Sequence, residues 1–151
     1  MSRLRPARTA ELQQLSDLCI RSKAVWGYDP AFMEACRGEL TLTDQDLNQT
    51  CVQVAEDEDG VIGVVQIVVD DGVAELEKLF IEPTRMRTGA GRQLLDWAVA
   101  AARAGGATRL MIAADPDAAE FYRRMGAQDA GTAASGSIPD RVLPRLQIDV
   151  R

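Results

Sequence analysis

Leu79-Phe80-Ile81-Glu82-Pro83-Thr84-Arg85-Met86-Arg87-Thr88-Gly89-Ala90-Gly91-Arg92-Gln93-Leu94-Leu95 runs from a strand-like segment, stopped at Pro83, into a helix whose apolar stripe opens at Leu94-Leu95. Glycine at such a junction lets a backbone come close to a bound group, and the free N–H groups and dipole of the helix start attract anions. A phosphate is the natural occupant of Gly89-Ala90-Gly91. Arg87, Thr88 and Arg92 add charge and hydrogen bonding for the same ligand class, against a background net charge of −6. A Walker-type loop is excluded because the chain has no Gly-Lys pair. A dinucleotide fingerprint would need its third glycine at position 94, which is Leu94. Taken alone, the loop also fits a plain glycine-rich turn that starts a helix.

Working outward, residues 3–5 read as a short strand stopped by Pro6. Leu12, Leu15, Leu18, Cys19 and Ser22 recur at helical spacing from residue 10 to about residue 24. Trp26-Gly27-Tyr28-Asp29-Pro30 breaks that helix, a second follows with Phe32, Met33, Cys36 and Leu40 inward, and residues 43–47 form a capped turn. Segments 51–55, 61–69 and 73–81 are β-branched runs separated by turns, an antiparallel meander. A helix over 88–104 ends at Gly105-Gly106; a strand at 109–113, a helix at 117–125 and strands at 127–133 and 143–150 complete the chain. The order βααβββαβαββ predicts one α/β domain over residues 1–151, a mixed sheet covered by helices.

Composition narrows the chemistry. The 151 residues suit one domain, and 46% hydrophobic content with only 5% aromatics makes the core aliphatic. The acidic balance argues against nucleic-acid or anionic-membrane partners. There is no histidine, which removes Ser-His-Asp triads, Cys-His pairs and histidine metal ligands, so a general base must be Glu, Asp, Tyr or water. Cys19, Cys36 and Cys51 lack C-x-x-C spacing and read as packing residues, and no metal site is indicated. With no signal-like or membrane-spanning apolar run, a soluble cytoplasmic protein is expected.

From Glu75 to Ala127 the chain resembles the GNAT superfamily of acyl-CoA-dependent N-acetyltransferases. The resemblance rests on Leu79-Phe80-Ile81, Pro83, Gly89-Ala90-Gly91, the 109–113 strand, Asp115, Ala118, and Phe121-Tyr122-Arg123-Arg124-Met125-Gly126-Ala127. It implies the GNAT-type sheet, mixed but largely antiparallel, of about six to seven strands flanked by helices. It also implies acetyl-CoA as cosubstrate, its pyrophosphate cradled by Arg87, Thr88, Gly89, Ala90, Gly91 and Arg92, its pantetheine arm bonded by the backbone of Leu79, Phe80 and Ile81, with Asp115 and Ala118 beside it. Two departures stand out: Met86 occupies a place where the family usually has Gln or Arg, and Asp115 replaces a common Asn. Arg85, Arg87 or Arg92 would then supply the missing charge.

Tyr122 resembles the family's tyrosine that protonates the departing thiolate; a phenol with a pKa of about 10 stays protonated at neutral pH. A core-filling tyrosine is the plainer alternative. Strict alternation over 73–81 puts Glu75 and Glu77 on one face with Leu79 and Ile81, where two neighbouring carboxylates raise each other's pKa and suit a base acting through water. Glu75 leads and Glu77 is second, against water alone or a salt bridge to Lys78 or a nearby arginine. Trp26 and Tyr28 border the expected acceptor pocket and could hold a cation; Ser135 and Ser137 lie on a loop that could close it. The expected function is acetyl transfer to a small-molecule primary amine by direct attack in a ternary complex. A non-catalytic CoA-binding module and a protein or peptide acetyltransferase are the alternatives, and a homodimer is left open.

Overall fold

The computed structural model describes residues 2–151. The chain forms seven strands: β1 (Arg3–Pro6), β2 (Cys51–Asp57), β3 (Gly60–Asp70), β4 (Val73–Ile81), β5 (Arg109–Ala113), β6 (Gln128–Ala134) and β7 (Val142–Asp149). They lie in one sheet in the order β1-β2-β3-β4-β5-β7-β6. β4 and β5 are parallel and every other pairing is antiparallel, the mixed sheet expected from the element order. The helices are α1 (Leu12–Ala24), α2 (Pro30–Leu40), α3 (Asp44–Gln49), α4 (Ala90–Ala104) and α5 (Ala119–Arg124). A parallel pair needs a crossover, and α4 supplies it.

Local chemistry sets the element ends. α2 starts at Pro30 because the Asp29 carboxylate accepts from the Phe32 N–H at 2.8 Å. The stretch expected as a capped turn is the helix α3: Thr43 and Asp46 cap each other's backbone, which satisfies donors a short helix would leave unpaired. α4 starts at Ala90 rather than at residue 88, since Gly89 has φ 92°, a left-handed conformation outside the helix.

Both faces of the sheet are covered. On one, Leu94, Leu95, Ala98 and Ala102 of α4 pack on Val65, Ile67, Leu110 and Ile112. On the other, Leu15, Leu18 and Cys19 of α1 and Cys36 and Leu40 of α2 pack on Val52, Val54 and Val64. β3 is buried from both sides, which explains its nearly continuous apolar run.

The strict alternation expected for β4 is overturned. Leu76 lies opposite Ile67 and Lys78 opposite Gln66, so Glu77 is an extra residue, a β-bulge. The insertion reverses the phase of the strand. Ala74 and Leu76 before it and Leu79 and Ile81 after it all pack on the α4 side, while Phe80 packs with α1 and α2. Glu75, alternating with Ala74 and Leu76, therefore faces away from Leu79 and Ile81.

Gly63 of β3 seats α4 against β4. A Cβ there would lie 2.8 Å from Ile81 Cδ1, 2.9 Å from Leu94 Cδ1 and 3.3 Å from the Phe80 carbonyl. Leu94 is fully buried and has little room to give. Gly63→Ala is expected to lower folding stability by about 1–3 kcal/mol, the usual range for overpacking, measured by denaturant unfolding.

Candidate functional site

β4 and β5 pair from Val73↔Arg109 to Leu76↔Ile112 and part at the bulge. Beyond it Lys78 to Ile81 stay with β3, while Ala113 pairs with Arg145 of β7. The sheet thus opens into a notch between β4 and β5. Glu82 donates its N–H to the Ile62 carbonyl at 2.7 Å. Since bonding direction alternates along an antiparallel strand, Phe80 also faces β3, and the backbones of Leu79 and Ile81 face the notch. The Ile81 N–H is held by the Ser22 hydroxyl at 3.3 Å.

At the notch end of α4, none of the backbone N–H groups from Met86 to Arg92 donates to a backbone carbonyl among the described residues; the first that does is Gln93, to Gly89 at 3.0 Å. Arg87 holds φ 64° and Gly89 φ 92°, so the chain turns left-handed twice in three residues. Alternating backbone of this kind gathers N–H groups into an anion-binding concavity. Gly91 is approached by the α5 ring of Phe121, whose Cζ would lie 3.4 Å from an added Cβ. Of the three flanking arginines, Arg85 is tied to Asp57 and Asp59 at 2.9 and 2.6 Å. Arg87 and Arg92 are exposed and have no carboxylate partner among the described residues. The Thr88 hydroxyl donates to the Arg85 carbonyl at 2.6 Å and braces the turn.

Tyr122 sits in α5, 7% exposed and edge-on to Phe121, and Ala118 packs nearby against the same core. Its hydroxyl has no protein partner, yet no buried side-chain oxygen among the described residues lacks one, so this oxygen keeps contact with solvent. Burial, with a smaller contribution from the Asp115 charge, pushes its pKa up and keeps the phenol protonated.

The two glutamates are in different states. Glu75 is held by Arg145 at 2.6 Å, not by Lys78. Glu77 makes no ion pair among the described residues and is exposed at its tip. Partial desolvation nevertheless pushes its pKa up, opposed by Lys78 and reinforced by Glu75, Glu39 and Asp46. Lys78 is buried and donates to Gln66 at 2.9 Å. Burial pushes the Cys19 thiol up to about 12, which keeps it protonated. Among the described residues no group of His, Cys, Asp or Glu is placed to hold a metal ion.

Asp115, just past β5, accepts from Lys23 Nζ at 2.9 and 3.0 Å, from the Tyr28 hydroxyl at 3.3 Å and from Arg141 at 3.4 Å. Tyr28 stacks on Phe32 with ring centroids 4.0 Å apart, and Trp26 is exposed. The Ser135 hydroxyl accepts from the N–H groups of Ser137 and Ile138, and the Ser137 hydroxyl donates to Glu39 of α2. The β6–β7 loop is thereby fastened to α2 and to the α1–α2 turn.

The open notch between the parallel strands β4 and β5 thus lies beside the N–H-rich start of α4. Residues 13–127 match the model described as the Acetyltransferase (GNAT) family. This chain belongs to that family. Solved structures share its fold over nearly the whole length. A PaiA N-acetyltransferase from Thermoplasma acidophilum in complex with coenzyme A has TM-score 0.81 and 16% identity, covering 99% of both chains. An acetyltransferase of the GNAT family from Staphylococcus aureus Mu50 has TM-score 0.77 and 12% identity, covering 100% of both. An aminoglycoside 6'-N-acetyltransferase complexed with coenzyme A has TM-score 0.75 and 16% identity, covering 99% of this chain and 97% of that one. No curated protein sequence gives a significant match. Among the described residues no helix is long and apolar enough to cross a membrane.

Reading the sequence of this GNAT chain passed over Lys23, Arg141, Ser22 and Arg145. Lys23 had a signal, since it stands four residues after Cys19 on the buried stripe of α1. Ser22 showed only as a member of that stripe, and Arg141 and Arg145 left no signal, since they reach Tyr28 and Glu75 across 113 and 70 residues of chain. Asp115→Ala, which strands the buried ammonium of Lys23, is expected to lower stability by about 3 kcal/mol, and Asp115→Asn by clearly less; thermal and denaturant unfolding measure both.

Proposed function

We propose that the chain transfers an acetyl group from acetyl-CoA to a primary amine of a small molecule by direct attack in a ternary complex. The observation that carries this reading is the notch opened by the Glu77 bulge, next to the uncommitted N–H groups of residues 86–92. The pyrophosphate would sit on Arg87, Thr88, Gly89, Ala90, Gly91 and Arg92, with Arg87 and Arg92 in place of the basic side chain absent at Met86. The pantetheine amides would pair with the notch-facing backbone of Leu79 and Ile81, as an added strand pairs with a sheet edge, with Phe80 packing behind them and Asp115 and Ala118 at the opposite wall.

The chemistry then needs three things. A base removes one proton from the ammonium, the amine nitrogen attacks the thioester carbon, and the C–N bond forms as the C–S bond breaks. The leaving sulfur takes a hydrogen bond and then a proton from the Tyr122 hydroxyl; the nitrogen sheds its second proton on becoming an amide, and this proton restores Tyr122 through solvent while the first leaves through the base. Glu77 suits the base better than Glu75, because its raised pKa lies nearer neutrality and no arginine holds it. Trp26, Tyr28 and the loop carrying Ser135 and Ser137 would border the amine. An acetyltransferase domain acting on peptides would need an open groove here, and the fastened loop favours a small acceptor.

Tyr122→Phe is expected to cut kcat by about 10²-fold while changing CoA affinity little, measured by thiol release and calorimetry. Equal turnover would remove the acid role. For wild type, kcat/KM should rise with pH as Glu77 loses its proton; Glu77→Gln should depress the rate most near neutral pH and least at high pH, where the amine deprotonates unaided. An unchanged pH profile would leave water as the base.

A further inference from the structure

We infer that Arg141 is a carboxylate-reading residue, so that the acceptor is an amine that also carries a carboxylate, such as an α-amino acid. This deepens the acetyltransferase reading above and rests on it. The observation is an imbalance of charge in a fixed, partly buried place. Lys23 and Arg141 share one carboxylate, Asp115, whose two oxygens are taken at 2.9 and 3.0 Å by the lysine; Arg141 reaches it only at 3.4 Å. The good bond of Arg141 is to the neutral Tyr28 hydroxyl at 2.8 Å, from Nη2. Its Nε and Nη1 donate to nothing among the described residues, and no other carboxylate lies within ion-pair distance of it. One positive charge is therefore left over, on a side chain only 18% exposed.

The guanidinium is also aimed rather than free. Arg141 donates its N–H to the Ile138 carbonyl at 3.3 Å and accepts from the Ser135 N–H at 2.8 Å, and the preceding Asp140 turns left-handed at φ 64°. The Tyr28 and Phe32 rings lie 5.2 and 4.8 Å from its carbon and hold its plane. Two guanidinium nitrogens with no partner among the described residues, on a rigid platform, leave donors for a further carboxylate oxygen, which Nε or Nη1 would take singly since both two-point forks include the engaged Nη2. The platform stands next to Asp115, at the mouth of the notch where β5 ends. Glu77, which makes no ion pair among the described residues, supplies the opposite sign for the ammonium. A zwitterion satisfies both sides; a plain diamine leaves Arg141 with only its share of Asp115.

The test is thiol release from acetyl-CoA with paired acceptors: lysine and cadaverine, arginine and agmatine, phenylalanine and phenethylamine, methionine and 3-(methylthio)propylamine. Wild type is expected to favour the amino acid of at least one pair by tenfold or more in kcat/KM. Arg141→Gln should reduce that ratio at least tenfold, chiefly through KM, and Arg141→Lys should restore part of it. Damage to the loop alone would lower both members of a pair together and leave the ratio unchanged, and that result overturns the proposal. Preference for the decarboxylated amines throughout overturns it too while leaving acetyl transfer standing. No release with any amine overturns the transfer reading as well.

Discussion

The structure turns on one extra residue. Glu77 has no counterpart on β3, and its insertion both ends the hydrogen bonding between β4 and β5 and rotates the rest of β4 by one side-chain step. Without it Leu79 and Ile81 would face α1, the α4 side of the core would lose two aliphatic side chains, and the sheet would close. With it, a strand that is buried and fully paired at one end becomes a strand with an open backbone at the other. The bulge also lifts a carboxylate out of the ladder at the place where the sheet divides.

The two walls of the notch are built on different principles. The wall proposed for the cofactor is mostly main chain: the N–H groups of residues 86–92 and the backbones of Leu79 and Ile81, the Ile81 N–H being held by Ser22. Main chain can offer these donors with many different side chains, which is consistent with a shared fold at 12–16% identity. The wall proposed for the acceptor is built from side chains of α1, α2, the turn between them and the β6–β7 loop. Charge-assisted bonds from Lys23 and Arg141 converge there on Asp115, so replacing any of the three changes its charge.

Much of the fold could be read from spacing because most strands and helices declare themselves locally. The runs at 51–55, 61–69 and 73–81 and the stripe on α4 need no partner to be recognised, and the anion loop follows from glycines at a helix start. The bulge could not be seen, since whether a residue is extra depends on the strand opposite; that is why alternation placed Glu75 with Leu79. The acceptor side was legible only in part. Tyr28 sits at an obvious break in the helices, but its partner Arg141 stands 113 residues away and Lys23 is 92 residues from Asp115. Such contacts are set by topology, and topology enters the sequence only through the order of elements.

The parallel seam between β4 and β5 has one more consequence. It spans only four paired positions, and it is the sole ladder joining β1–β4 to β5–β7, two halves that are each antiparallel. The seam must wait for α4 to cross, and β1 joins β2 across a still longer stretch of chain, whereas β2, β3 and β4 pair with their neighbours in sequence. The sheet is therefore joined at its middle by as short a ladder as the one at its β1 edge, and packing supplies the rest: α4 rests on Val65 and Ile67 of one half and on Leu110 and Ile112 of the other, so this one helix clamps the two sides of the notch together.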